Sequence, residues 1–165
     1  MAVNFKLVSE FQTIHRRPFT LADPAILKPS NARPLVDGEF LQLDTAYKMA
    51  RGGDGTAGAG AEDIATVPSF AFFAESGRSD TQAIEKGPFL YGNFYEADTI
   101  IMDAAAANGI SAVGQALFVG DIDVGGIVRR GLMGALATPA GTELVVGYVT
   151  RLPANNNGYL RFIRA

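Results

Sequence analysis

The chain has 165 residues, a formal net charge of -3, 19 glycines, a single histidine and no cysteine. That length fits one domain with its own core, and the missing cysteines exclude disulfide frameworks and thiolate zinc sites. One histidine rules out a His-pair metal site, and a mildly acidic balance gives no electrostatic case for nucleic acid, which needs clustered Lys and Arg.

The opening "MAVNFKLVSEF" lacks the basic start and long apolar stretch of a signal peptide, and no apolar run approaches 18 residues. The expectation is a protein of a cytosol-like compartment that makes no membrane contact. Residues 1–34 read as an irregular, Pro-rich extended arm. In "HRRPFTLADPAILKPSNARP", Pro18, Pro24, Pro29 and Pro34 each fix φ and disfavour helix just before them, so no ordinary helix or central strand is expected. Ordering such an arm costs about 1–2 kcal/mol per residue, and burying a large apolar side chain returns about 1.5–3 kcal/mol. The arm therefore has to bury Phe5, Leu7, Phe11 and Phe19. These four, with the basic cluster His15, Arg16 and Arg17, are the candidate contacts to a partner subunit.

Residues 35–165 read as a β-rich domain. In "PLVDGEFLQLD", Asp37-Gly38 supplies a turn and Glu39–Asp44 a strand. The loop 51–63, "RGGDGTAGAGAED", spells G-x-G-x-x-G through Gly53, Gly55 and Gly58. It has no strand immediately before it, no helix after it and no lysine, while Glu62 and Asp63 would repel a phosphate. It reads as a small-residue spacer. "TVPSFAFFAESG" follows as a strand buried on both faces, and "GRSDTQAIEKG" as a polar crossing or short turn of helix. "PFLYGNFYEADTIIMD" makes two strands or one bent strand about Gly92-Asn93. "DAAAANGI" offers one helical turn at most. "GQALFVGDID" is strand-like, whereas "GGIVRRGLMGALA" fits a short helix or a bent strand. A final hairpin joins "ELVVGYVTRLP" to "YLRFIRA" through Asn157-Gly158, with Leu160 and Phe162 on one face and Tyr159, Arg161 and Ile163 on the other. The expected fold is mainly β, a small barrel or sandwich.

Chemistry-bearing groups are sparse. Asp121 and Asp123 share a strand face in "GDIDVGG", but calcium needs six to eight oxygens. His15 lies near Ser9 and Thr13 without a nucleophile elbow. Arg129 and Arg130 read as surface or interface charges. The aromatics Phe70, Phe72, Phe73, Phe89, Tyr91, Phe94 and Tyr95 alternate with acidic residues, which suits a core and a subunit interface better than base stacking. Neither a catalytic set nor a metal site can be assembled, so no enzyme is expected.

Three words in the sequence, "GEFLQLD" (38–44), "ESGRSDTQA" (75–83) and "VGYVTRLPANNNGYLRF" (146–162), give residues 34 onward a resemblance to head decoration, or capsid cement, proteins of tailed bacteriophages. The resemblance implies a β-rich virion protein, assembled in the host cytoplasm, on the outer capsid surface. It would bridge subunits of the major capsid protein, form a homo-oligomer (a trimer ahead of a dimer) and carry no cofactor. The long arm and the Gly-Ala loop depart from that pattern. A tail or baseplate component would share the composition, and a small β-barrel enzyme or ligand-binding protein is the rival from another class.

Overall fold

The computed structural model describes residues 4–10, 15–28, 30–52, 69–71, 86–91, 94–103, 109–134, 144–154 and 158–164. It is mainly β. Among the described residues eleven strands run in order: β1 (Phe5–Glu10), β2 (His15–Thr20), β3 (Phe40–Leu43), β4 (Met49–Ala50), β5 (Ser69–Ala71), β6 (Lys86–Tyr91), β7 (Tyr95–Thr99), β8 (Ala116–Val124), β9 (Ile127–Met133), β10 (Gly147–Arg151) and β11 (Leu160–Arg164). A 3-10 turn, Pro24–Leu27, is capped by the Asp23 carboxylate, which accepts from the Ala25 amide at 2.9 Å.

A six-stranded sheet, ordered β1-β7-β11-β10-β8-β9, curls into a half-barrel. Its inner face follows from alternation: Leu160 and Phe162 on β11, Tyr95 and Ala97 on β7, and Leu117 and Val119 on β8 all enter one core. Phe162 is the hub, with the rings of Tyr95, Phe5 and Phe40 at centroid distances of 6.2, 6.4 and 6.4 Å. Gly147 sits where β10 crosses β11, and a Cβ there would collide with the Ile163 carbonyl oxygen. The glycine is needed for close approach.

Two smaller sheets, β4-β3-β5 and β2-β6, lie against that inner face. β3 and β6 each place adjacent buried residues on opposite sides. Phe40 and Leu90 face the half-barrel core, while their neighbours Leu41 and Phe89 face a second cluster with Leu21, Ile26, Leu35 and Met49. A third cluster, Ile101, Ile122 and Met133, covers the outer face of the β8–β9 hairpin, which settles "GGIVRRGLMGALA" as a strand over residues 127–133.

The stretch expected to be an irregular arm holds two strands. β1 pairs with β7 at the edge of the large sheet, and Phe5, 1% exposed, is part of the chain's own core. β2 pairs antiparallel with β6 in a register that sets Pro18 opposite Pro88. A proline breaks a ladder only where an N–H must be donated. Two prolines set opposite each other fit a pair that requires no N–H from either residue, so the ladder can continue past them. The proline spacing argument therefore fails for residues 15–20 because the partner strand carries a proline at the matching place. Residues 21–28 and 30–35 wrap the second cluster, fixed by Ala22 N–H to Met49 O (2.9 Å) and Leu35 N–H to Ile26 O (2.7 Å).

The edges of the open sheet are bridged by two short segments. Ile100 N–H donates to Asn4 O beside β1, while Leu132 N–H on β9 donates to Ile101 O and Asp103 N–H to Leu132 O. The turn Val36–Glu39, with Gly38 at φ +84°, does the same: Gly38 lies on Phe5 of β1, and Glu39 reaches the arginines of β9. The left-handed Gly38 is the residue that Asp37-Gly38 turn chemistry predicts.

Candidate interaction surface

Glu39 is 0% exposed and stands at the centre of a charged cluster. Arg51 forks onto it through Nε to Oε1 (2.6 Å) and Nη2 to Oε2 (3.1 Å), and Arg129 Nη1 donates to Oε2 at 3.3 Å. Arg51 Nη1 also donates to Arg33 O (2.5 Å), Arg129 Nη1 to Pro34 O (2.6 Å), and Arg33 Nε to Val128 O (3.0 Å). The cluster serves the sheet edge. On β9 the backbone groups that point away from β8 belong to alternate residues. Val128 O is taken by Arg33, the Arg130 amide lies 3.5 Å from Glu39 Oε1, and Leu132 is taken by residues 101–103. Side chains finish a strand edge that has no neighbouring strand among the described residues, which also hinders its pairing with another chain.

Arg129 and Arg130 are thus buried, not surface charges. They alternate across β9, Arg129 toward Glu39 and Arg130 toward Asp121 on the paired strand at 3.5 Å. Asp123 caps the β8–β9 turn by accepting from Gly126 N–H at 2.7 Å. The two aspartates of "GDIDVGG" therefore serve separate partners. Among the described residues no group of three or more acidic or imidazole side chains is placed to hold a metal ion.

The outer face of the large sheet carries a row of charges set by register: Lys6 on β1, Asp98 on β7, Arg161 on β11 and Arg151 on β10. Arg161 binds Asp98 bidentately at 2.8 and 2.9 Å, and Arg151 Nη2 adds contacts at 3.3 and 3.4 Å. The Arg161 hydrogen bonds hold the Asp98 carboxyl below its usual range against partial burial, helped by the charges of Arg161, Arg151 and Lys6. Asp98 raises Arg161 in return. Next to this row Tyr148 projects outward beside Ile163 and Ala116, and Glu96 accepts from the Thr150 hydroxyl at 2.8 Å.

Two exposed aromatics stand in the left-handed backbone region, Tyr47 (φ +58°) and Phe94 (φ +62°). Tyr47 is 83% exposed at the tip between β3 and β4. Asp44 builds that tip: its Oδ1 accepts from the Ala46 and Lys48 amides at 2.8 Å each, and its carbonyl accepts from Tyr47 N–H at 3.0 Å. This is a turn position for glycine or asparagine, and a tyrosine costs about 1–2 kcal/mol there.

Of the residues expected at a partner interface, Phe5 is in the core, and Leu7 and Phe19 are half-buried against the first and second clusters. Phe19 meets Phe89 edge to face at 6.1 Å. His15, Arg16 and Arg17 occupy consecutive positions of β2 opposite Tyr91, Leu90 and Phe89. Phe11 lies outside the described residues, as does most of the loop 51–63. Of the three whose side chains are described, Phe5 is not exposed, and Leu7 and Phe19 are only partly so. Sequence reading passed over Glu39, Arg51 and Tyr47. A carboxylate directly after a turn glycine and before "FLQL" was the available signal for Glu39, and a tyrosine three residues after Asp44 was the signal for the tip.

No protein-family model, curated protein or solved structure matches the chain. No helix among the described residues is long and apolar enough to cross a membrane.

Proposed function

We propose that the chain is a non-enzymatic structural protein of a bacteriophage virion, a capsid decoration or cement protein. In this reading it binds the outer face of the capsid, bridges subunits of the major capsid protein and acts as a homo-oligomer without a cofactor. The virion assignment rests on the resemblance carried by "GEFLQLD", "ESGRSDTQA" and "VGYVTRLPANNNGYLRF". The observation that favours a role through surface contact is Tyr47. A side chain 83% exposed in a strained backbone position adds nothing to the fold of its own chain, yet tyrosine is a strong anchor when a partner buries it. Phe94 repeats the pattern at 48% exposure. With Phe5 committed to the core, the contact surface moves from the N-terminal arm to these tips and to the outer sheet face around Tyr148.

The test adds purified protein to preformed, expanded shells of the matching phage and measures occupancy by electron microscopy. Wild type should decorate the outer surface. Tyr47→Asn should fold at least as stably, by relief of strain, and bind less. Absence from shells, or location on tails alone, would end the capsid reading. Undiminished binding by Tyr47→Asn would remove Tyr47 from it.

A further inference from the structure

We infer that Arg33, at the rim of the Glu39 cluster, forms with Arg51 and Arg129 a site for one small oxyanion, a phosphate or a carboxylate supplied from outside the chain. Two guanidinium groups, those of Arg51 and Arg129, share the one carboxylate of Glu39, and Arg33 adds a third positive charge to the cluster, joined to it by its backbone carbonyl, which accepts from Arg51. Among the described residues Glu39 is the only carboxylate that bonds any of the three. Arg33 Nη2 is shut off from solvent and has no hydrogen-bond partner among the described residues, although Nε of the same group is held by Val128 O. A sequestered donor on a charged group is costly, and native structures satisfy nearly all such donors. Water would supply an acceptor but no charge. An oxyanion supplies both, and arginine is the side chain best shaped to receive one. Arg51 is fully engaged by Glu39 and Arg33 O, and Arg129 Nη1 by Glu39 and Pro34 O. Arg33 therefore contributes the open donor, while the other two contribute the field. The site is independent of the capsid reading.

The test uses the full chain with its arginine side chains followed by nitrogen NMR, titrated with sodium phosphate, sodium acetate or sodium chloride at matched ionic strength. Expected is a saturable shift of the Arg33 Nε–H signal with phosphate or acetate and none with chloride. A melting-temperature rise of about 3 °C at roughly tenfold excess over Kd should accompany it and vanish in Arg33→Gln. The stronger of the two oxyanions identifies the source, free phosphate or a carboxylate. An Arg33 signal that responds to chloride equally, or never saturates, overturns the site, as does equal stabilisation of Arg33→Gln. If Arg33→Gln fails to fold, the wild-type titration decides alone.

Discussion

Replacing Glu39 by glutamine changes one atom and should unsettle the whole seam of the half-barrel. Every neighbour bonded to the carboxylate is a donor. Oε1 faces Arg51 Nε at 2.6 Å and the Arg130 amide at 3.5 Å, while Oε2 faces Arg51 Nη2 at 3.1 Å, Arg129 Nη1 at 3.3 Å and the Val36 amide at 3.4 Å. Whichever way the glutamine amide turns, its NH2 meets N–H groups, and two largely buried guanidiniums lose their counter-charge. Breaking one side of a buried ion pair costs about 3–5 kcal/mol. That is a large share of the roughly 5–15 kcal/mol that holds a domain together. In a chain of this size it lowers the melting temperature by about 6–20 °C. Urea unfolding of Glu39→Gln should show a lower midpoint with an unchanged slope. The triple variant Glu39→Met, Arg51→Met, Arg129→Met should regain much of the loss, because it buries no orphaned charge. A loss under about 1 kcal/mol for the single change would refute the reasoning, since no buried pair worth breaking would then exist.

Gly38→Ala should destabilise by about 2–4 kcal/mol, because its φ of +84° is strained for alanine and the new Cβ would lie 2.8 Å from Phe5 Cβ; an unchanged urea midpoint would contradict this. Burial pushes the Tyr95 hydroxyl up to about 12, against the opposing charge of Arg164. Stability from Tyr95 is therefore intact below pH 10, where the unfolded side chain begins to ionise, and about 2–3 kcal/mol drains away as pH rises toward 12. Tyr95→Phe should flatten that alkaline decline in pH-dependent unfolding curves. Asp98 has the opposite sign: its lowered carboxyl stabilises above about pH 4, the unfolded value, and the contribution disappears as acid takes the pH through the folded value. Acid titration of Asp98→Asn should lack this component, and identical acid profiles would show that the Arg161 fork adds nothing.

The buried arginines mark the limit of local reading. "VRR" within "GGIVRRGLMGALA" carries no local sign of burial, and charged residues are normally left in water. Their partners are distant: Glu39 lies 90 residues before Arg129, and Arg130 meets Asp121 only once the β8–β9 register is set. Charge compensation over such spans is invisible to periodicity. The same holds for Pro18, acceptable in a strand because Pro88 faces it.

The sequence by itself determined the β class, the Asp37-Gly38 turn and the in-out alternation of the last strand, because turn chemistry and side-chain period are properties of a few adjacent residues. Only the tertiary structure decided that Phe5–Glu10 and His15–Thr20 are strands, that Phe5 belongs to the core, and that Glu39 finishes the edge of β9. Each of those depends on what a distant segment presents at the point of contact, a quantity that exists only after the chain has closed on itself.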